Sequence, residues 1–89
     1  MLKDIVEASV VDEYRVYLRF EDGVEGEVDL AEMIEFTGVF ARIRDKSEFA
    51  KLRIDPQTGT IVWPSGADLD PDVLYAAVSG RPIIADSAD

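Results

Sequence analysis

From Tyr14 to Leu30 the chain alternates, and the alternation breaks once, at Glu21-Asp22-Gly23. Tyr14, Val16, Leu18 and Phe20 alternate with Arg15, Tyr17 and Arg19. Val24, Gly26, Val28 and Leu30 alternate with Glu25, Glu27 and Asp29. A period of two belongs to strands, and two such runs around a short polar break predict a β-hairpin. The register follows from the faces. A two-residue Asp22-Gly23 loop pairs Phe20 with Glu25 and places a glutamate on the apolar side. A three-residue loop pairs Phe20 with Val24, Leu18 with Gly26 and Val16 with Val28, so apolar meets apolar. The other face then sets Arg19 against Glu25, Tyr17 against Glu27 and Arg15 against Asp29, with opposite charges at both outer pairs. This loop is a type I turn closed by Gly23 in a left-handed conformation.

The rest of the chain adds short elements. Residues 5–11 are β-rich and supply a first strand, making the N-terminal part a meander. Residues 30–34 predict a short helix capped by Asp29, and residues 38–42 another turn. Asp45-Lys-Ser-Glu48 resembles a capping box opening a helix over 46–51, with Phe49 and Leu52 turned to the core. Strands over 52–54 and 60–63 flank Asp55-Pro56-Gln57-Thr58-Gly59, which has turn composition. Pro64 ends regular ladder pairing there. Asp70-Pro71 opens a helix running to about residue 78, with an acceptor at the cap and proline at the first helical position. Leu74, Ala77 and Val78 lie on one face, and Gly80 suits its exit. The expected architecture is α+β: an antiparallel β-meander, short helices, a second β-hairpin and a C-terminal helix. One domain covers residues 4–80, and residues 81–89 form an extended or frayed tail.

Composition removes whole classes of chemistry. The chain has neither cysteine nor histidine, so disulfides, thiolate metal sites and the commonest general base are absent together. No serine lies in a G-x-S-x-G context, and no phosphate loop is present. This inventory argues against an enzyme and implies no cofactor. The net charge of −10 repels phosphate backbones and anionic membranes, which argues against direct nucleic-acid or membrane binding and favours a basic protein partner. Surplus carboxylates also serve solubility alone. The N-terminal stretch has no signal-peptide core, and no apolar run reaches the roughly 20 residues of a membrane span. The expected location is cytoplasmic. The meander's edges need cover, which a homodimer would supply.

Two regions are candidate surfaces for a partner or ligand. Arg15, Tyr17 and Arg19 make a Tyr/Arg row of interface-like composition. Trp63, Asp68, Asp70 and Tyr75 gather near the C-terminal helix. Trp63 reads either as a core lid or as an aromatic anchor. Asp68-Leu-Asp70-Pro-Asp72 has the spacing of a calcium-loop start. However, Pro71 interrupts it and Ser79 stands where the closing glutamate belongs, so a turn and helix cap is the simpler reading and no metal is assigned. The acidic row Glu25, Glu27 and Asp29 faces arginines, which favours ionised carboxylates over an acid–base pair.

The run Ile61-Val-Trp63-Pro64-Ser-Gly66-Ala-Asp68-Leu69-Asp70-Pro71-Asp72-Val-Leu74-Tyr75 resembles the signature of a bacterial family catalogued as domain of unknown function 2442. Tyr14 to Phe20, Glu21-Asp22-Gly23, Val28-Asp29-Leu30, Gly38-Val-Phe40, Asp45 and Phe49 agree with the same pattern. The resemblance spans roughly residues 4 to 78. It implies a short α+β protein without an established activity. Some similar proteins carry this module ahead of a helix-turn-helix domain. Others are encoded beside a second small protein, as in toxin–antitoxin pairs. The resemblance thereby implies a regulatory, antitoxin-like role.

Overall fold

The register argued from the alternation is the one the chain adopts in its computed structural model, which describes residues 4–79. Strand β2 (Arg15–Phe20) pairs antiparallel with β3 (Glu25–Asp29), with Arg15 opposite Asp29, Val16 opposite Val28, Tyr17 opposite Glu27, Leu18 opposite Gly26 and Arg19 opposite Glu25. Phe20 N–H donates to the Val24 carbonyl at 2.8 Å, and Gly23 N–H donates to the Phe20 carbonyl at 2.9 Å. Gly23 has φ +92, the conformation the three-residue loop demands. A Cβ there meets nothing within 4 Å, so the backbone angle alone opposes substitution. Gly23→Val is expected to cost more than about 1 kcal/mol, because a β-branched residue resists positive φ. That loss lowers the melting temperature by roughly 4–8 °C per kcal/mol. An unchanged melt would place the loop in another geometry.

The meander is completed by β1 (Ile5–Asp12), antiparallel to β2. Ile5, Ala8 and Val10 lie opposite Phe20, Leu18 and Val16. Register shifts fall between Ile5 and Glu7 and between Val10 and Asp12. Val6 and Val11 are the extra residues, and both are exposed. Bulges of this kind twist an edge strand away from edge-to-edge pairing. The start of β1 is held on two sides. Glu21 N–H donates to the Asp4 carbonyl at 2.9 Å, and Ile5 N–H donates to the Gly59 carbonyl at 2.8 Å.

The middle segment is more tightly wound than its sequence predicts. In place of a helix over 30–34 there is one 3-10 turn, Leu30–Glu32, with the Asp29 carboxylate accepting from Ala31 N–H at 3.0 Å. Two more 3-10 turns follow, Gly38–Phe40 and Arg42–Arg44, the second burying Ile43. Helix α1 is short, Lys46–Phe49. Asp45 caps it, accepting from Ser47 N–H at 2.9 Å and from Ser47 Oγ at 2.7 Å. Those two bonds hold the Asp45 carboxyl below the usual aspartate range. The capping box is only half formed. Glu48 pairs with Lys51 at 3.0 Å, and Asp45 N–H is already used by the Arg42 carbonyl.

Strands β4 (Arg53–Asp55) and β5 (Thr60–Val62) form the second hairpin. The regular ladder ends before Pro64, as expected, since β5 stops at Val62, but the chain does not leave the hairpin there. The chain turns through Pro64 and comes back, with Trp63 N–H donating to the Ala67 carbonyl at 2.9 Å and Gly66 N–H to the Trp63 carbonyl at 2.9 Å. Val62 then bridges Asp68. This is the Phe20–Val24 turn built a second time, with Gly66 at φ +100 in the role of Gly23. Proline suits the first turn position because its φ is preset and no N–H is needed there.

Helix α2 (Pro71–Ser79) starts as predicted, with Asp70 accepting from Asp72 N–H at 2.9 Å. Its inward face is Leu74, Tyr75 and Val78, whereas Ala77 is exposed. The helix packs over β3 at Gly26. The meander's inner face, both hairpins and α2 together enclose Val16, Leu18, Phe20, Phe49, Ile61 and Leu74. The architecture is therefore α+β in the order predicted. Gly80 and the tail over 81–89 lie outside the described residues.

Candidate functional site

The side of the meander facing away from the core carries three short rows. Glu7, Ser9 and Asp12 come from β1, Arg19, Tyr17 and Arg15 from β2, and Glu25, Glu27 and Asp29 from β3. The carboxylates outnumber the guanidiniums, and most of these residues are exposed.

The pairing across the rows is not the one the register alone suggests. Arg19 Nη2 reaches Glu7 on β1 at 3.1 Å, not Glu25. That ion pair raises the guanidinium's pKa. Glu25 instead accepts the Tyr17 hydroxyl at 2.5 Å. Asp29 is engaged as a helix cap. Both contacts of Arg19 and Tyr17 are exposed, so they orient side chains more than they stabilise the fold. Glu7 was missed in the sequence because β1 carries two bulges, which a period-two reading cannot place.

The hydrogen bond to Glu25 is the main cause that raises the Tyr17 phenol above its ordinary value of 10.0, with desolvation and the Glu25 and Glu7 charges adding to it. A phenol whose folded pKa is raised contributes stability below its unfolded pKa, and that contribution is lost as pH rises through the folded one. Tyrosinate absorbance against pH, read as wild type minus Tyr17→Phe, is expected to show a transition above that of a free phenol. Glu25→Gln is expected to move it down. A Tyr17 transition at the free-phenol value would show that the bond to Glu25 does not persist in solution.

The second candidate group is dispersed. Trp63 is a core residue, 2% exposed, with its indole N–H donating to the Phe49 carbonyl at 2.9 Å. It therefore offers no face to a partner. Asp68 makes an isolated antiparallel bridge with Val62. Asp70 caps α2. The Tyr75 hydroxyl reaches Asp22 at 2.7 Å while its ring meets Phe20 edge-on at 5.0 Å, which fastens α2 to the first hairpin turn. Among the described residues no three carboxylates converge as a metal-holding set.

A further hollow was not foreseen. Gly38, Val39, Ala41, Arg42 and Ser65 line a depression of about 420 Å³. Arg42, Glu48, Pro64 and Ser65 line an adjoining one of about 320 Å³. Ser65 Oγ is closed to solvent and has no hydrogen-bond partner among the described residues, a situation that costs roughly 1–3 kcal/mol. No motif connects Arg42 to Ser65, because 22 intervening residues separate them and only the folded chain brings them together.

Fold and surface define a class: a small acidic α+β module whose β-meander carries a charged, largely exposed outer face. Among the described residues no helix is long and apolar enough to cross a membrane. The chain belongs to the family described as protein of unknown function (DUF2442), whose model matches residues 5–80. No curated protein and no solved structure matches it.

Proposed function

We propose that this chain is a non-enzymatic, cytoplasmic regulatory module that binds a basic protein, in the manner of an antitoxin. The observation supporting this reading is the outer face of the meander. Its central row of Arg15, Tyr17 and Arg19 is flanked by carboxylate rows, and two of the three central side chains are held in place by Glu7 and Glu25. An oriented tyrosine is a low-entropy anchor. The surrounding negative potential steers a basic surface towards it and repels nucleic acid and anionic membrane. The alternative of a small-ligand or metal site on Trp63, Asp68, Asp70 and Tyr75 has no comparable support, since the polar atoms of Trp63, Asp70 and Tyr75 serve separate structural bonds.

The test is affinity capture on the full chain from its host at modest salt, beside a Glu25→Lys/Glu27→Lys variant whose circular dichroism is unchanged. A basic protein is expected on the wild type, released as salt rises, and absent from the variant. Failure to retain a basic protein, or equal retention by both chains, would defeat the reading. A second copy paired along a meander edge is the competing occupant, and would appear as a concentration-dependent mass in sedimentation.

A further inference from the structure

We propose that the hollow between the Gly38–Arg44 segment and the Trp63–Ala67 turn binds a monoanionic carboxylate attached to a small apolar group. This site goes beyond the partner face proposed above and uses none of its residues. Four observations carry it. Arg42 is exposed and has no ion pair among the described residues, so its guanidinium fork is available for bidentate recognition of a carboxylate. Ser65 borders both hollows, and its Oγ is the buried side-chain oxygen without a partner. Val39 is 63% exposed and forms an apolar wall beside Arg42. Glu48 lines the adjoining hollow, and together with a net charge of −10 it disfavours a multiply charged ligand such as a phosphate ester.

In the bound state one carboxylate oxygen pair faces the Arg42 fork. A rotation of the Ser65 side chain about χ1 carries the hydroxyl out of its closed position to donate to the same carboxylate. The apolar group rests on Val39 and Ala41. Two sources share this chemistry: the C-terminal residue of a protein and a free branched-chain acid.

The experiment uses the full ¹⁵N-labelled chain and follows backbone amide shifts. N-acetylvaline stands for a chain terminus, isovalerate for a free acid, and N-acetylvalinamide lacks the carboxylate. Saturable shifts are expected at Gly38, Val39, Arg42 and Ser65 with one or both acids and not with the amide. Binding of N-acetylvaline alone identifies a chain terminus, and binding of isovalerate identifies a free acid. Arg42→Gln is expected to weaken binding about tenfold or more, Arg42→Lys less, and Ser65→Ala several-fold. All three should keep the dispersed spectrum of the folded chain. The proposal is overturned if neither acid gives saturable shifts, if the amide gives the same shifts, if inorganic phosphate saturates the site in preference to both acids, or if Arg42→Gln binds as the wild type does.

Discussion

Trp63→Ala is expected to cost about 3–5 kcal/mol and to leave the chain partly or wholly unfolded at room temperature. A domain of 89 residues has a total stability of roughly 4–13 kcal/mol at 0.05–0.15 kcal/mol per residue. One indole thus accounts for a large share. Trp63 is almost fully buried immediately after β5. Its ring lies 5.6 Å from that of Phe49, and Phe49 meets Tyr14 edge-on at 5.0 Å. The Tyr14 hydroxyl in turn donates to the Arg44 carbonyl. This chain of rings joins the meander to the middle segment and to the second hairpin. The indole N–H also satisfies the Phe49 carbonyl at the end of α1. Trp63→Phe separates packing from hydrogen bonding. It keeps an aromatic ring, leaves that carbonyl with only the longer bond from Leu52 N–H at 3.3 Å, and is expected to cost about 1–3 kcal/mol. Urea unfolding followed by circular dichroism reads both variants. A Trp63→Ala midpoint equal to wild type would mean that the indole does not lock these elements together.

The meander was legible because two independent constraints agree there. The apolar period sets the faces, and the three-residue loop is the one that keeps Glu25 off the apolar side. Backbone register, however, does not decide which side chains bond. Arg19 has a carboxylate on each neighbouring strand, and β1 supplies the one it takes. The middle segment was less legible because its turns are too short to show a helical period, so tertiary packing of Ile43 and Phe49 decides their winding. Pro64 marks the end of the regular β5 ladder as expected, but the turn it opens was not legible. Proline stops a ladder when its missing N–H is needed, but at the first position of a tight turn it is not. The same short pattern, two turn residues followed by glycine, occurs at Glu21-Asp22-Gly23 and Pro64-Ser65-Gly66, and the fold uses it identically. Of the candidate surface, the Tyr17 row was readable from alternation. The Arg42–Ser65 hollow was not, since 22 intervening residues separate these two side chains in the sequence.

Gly26→Val is expected to destabilise the chain by about 1–3 kcal/mol, although valine is a better strand residue than glycine. Gly26 lies mid-strand in β3 opposite Leu18, and its φ does not lie in the left-handed region. Space is therefore the reason for glycine. A Cβ at this position would sit 3.2 Å from Val78 Cγ1 and 3.4 Å from the Val78 carbonyl oxygen, because α2 rests on the strand here. A single methyl asks little. The Val78 side chain gives by a few tenths of an ångström, and the less flexible unfolded chain returns roughly 0.4–1 kcal/mol. Gly26→Ala is thus expected within about 1 kcal/mol of wild type. Two further carbons press on the helix backbone, and overpacking of that kind outweighs a gain in strand propensity of at most about 1 kcal/mol. The sign of Gly26→Val consequently reports whether α2 covers β3. The double variant Gly26→Val/Val78→Ala opens the contested space, so a double-mutant cycle in urea should return a favourable coupling of about 0.5 kcal/mol or more between the two sites. A stabilised single variant, or a cycle with no coupling, would lift α2 off the sheet, and the bond from Tyr75 to the Asp22 turn would have to be drawn again.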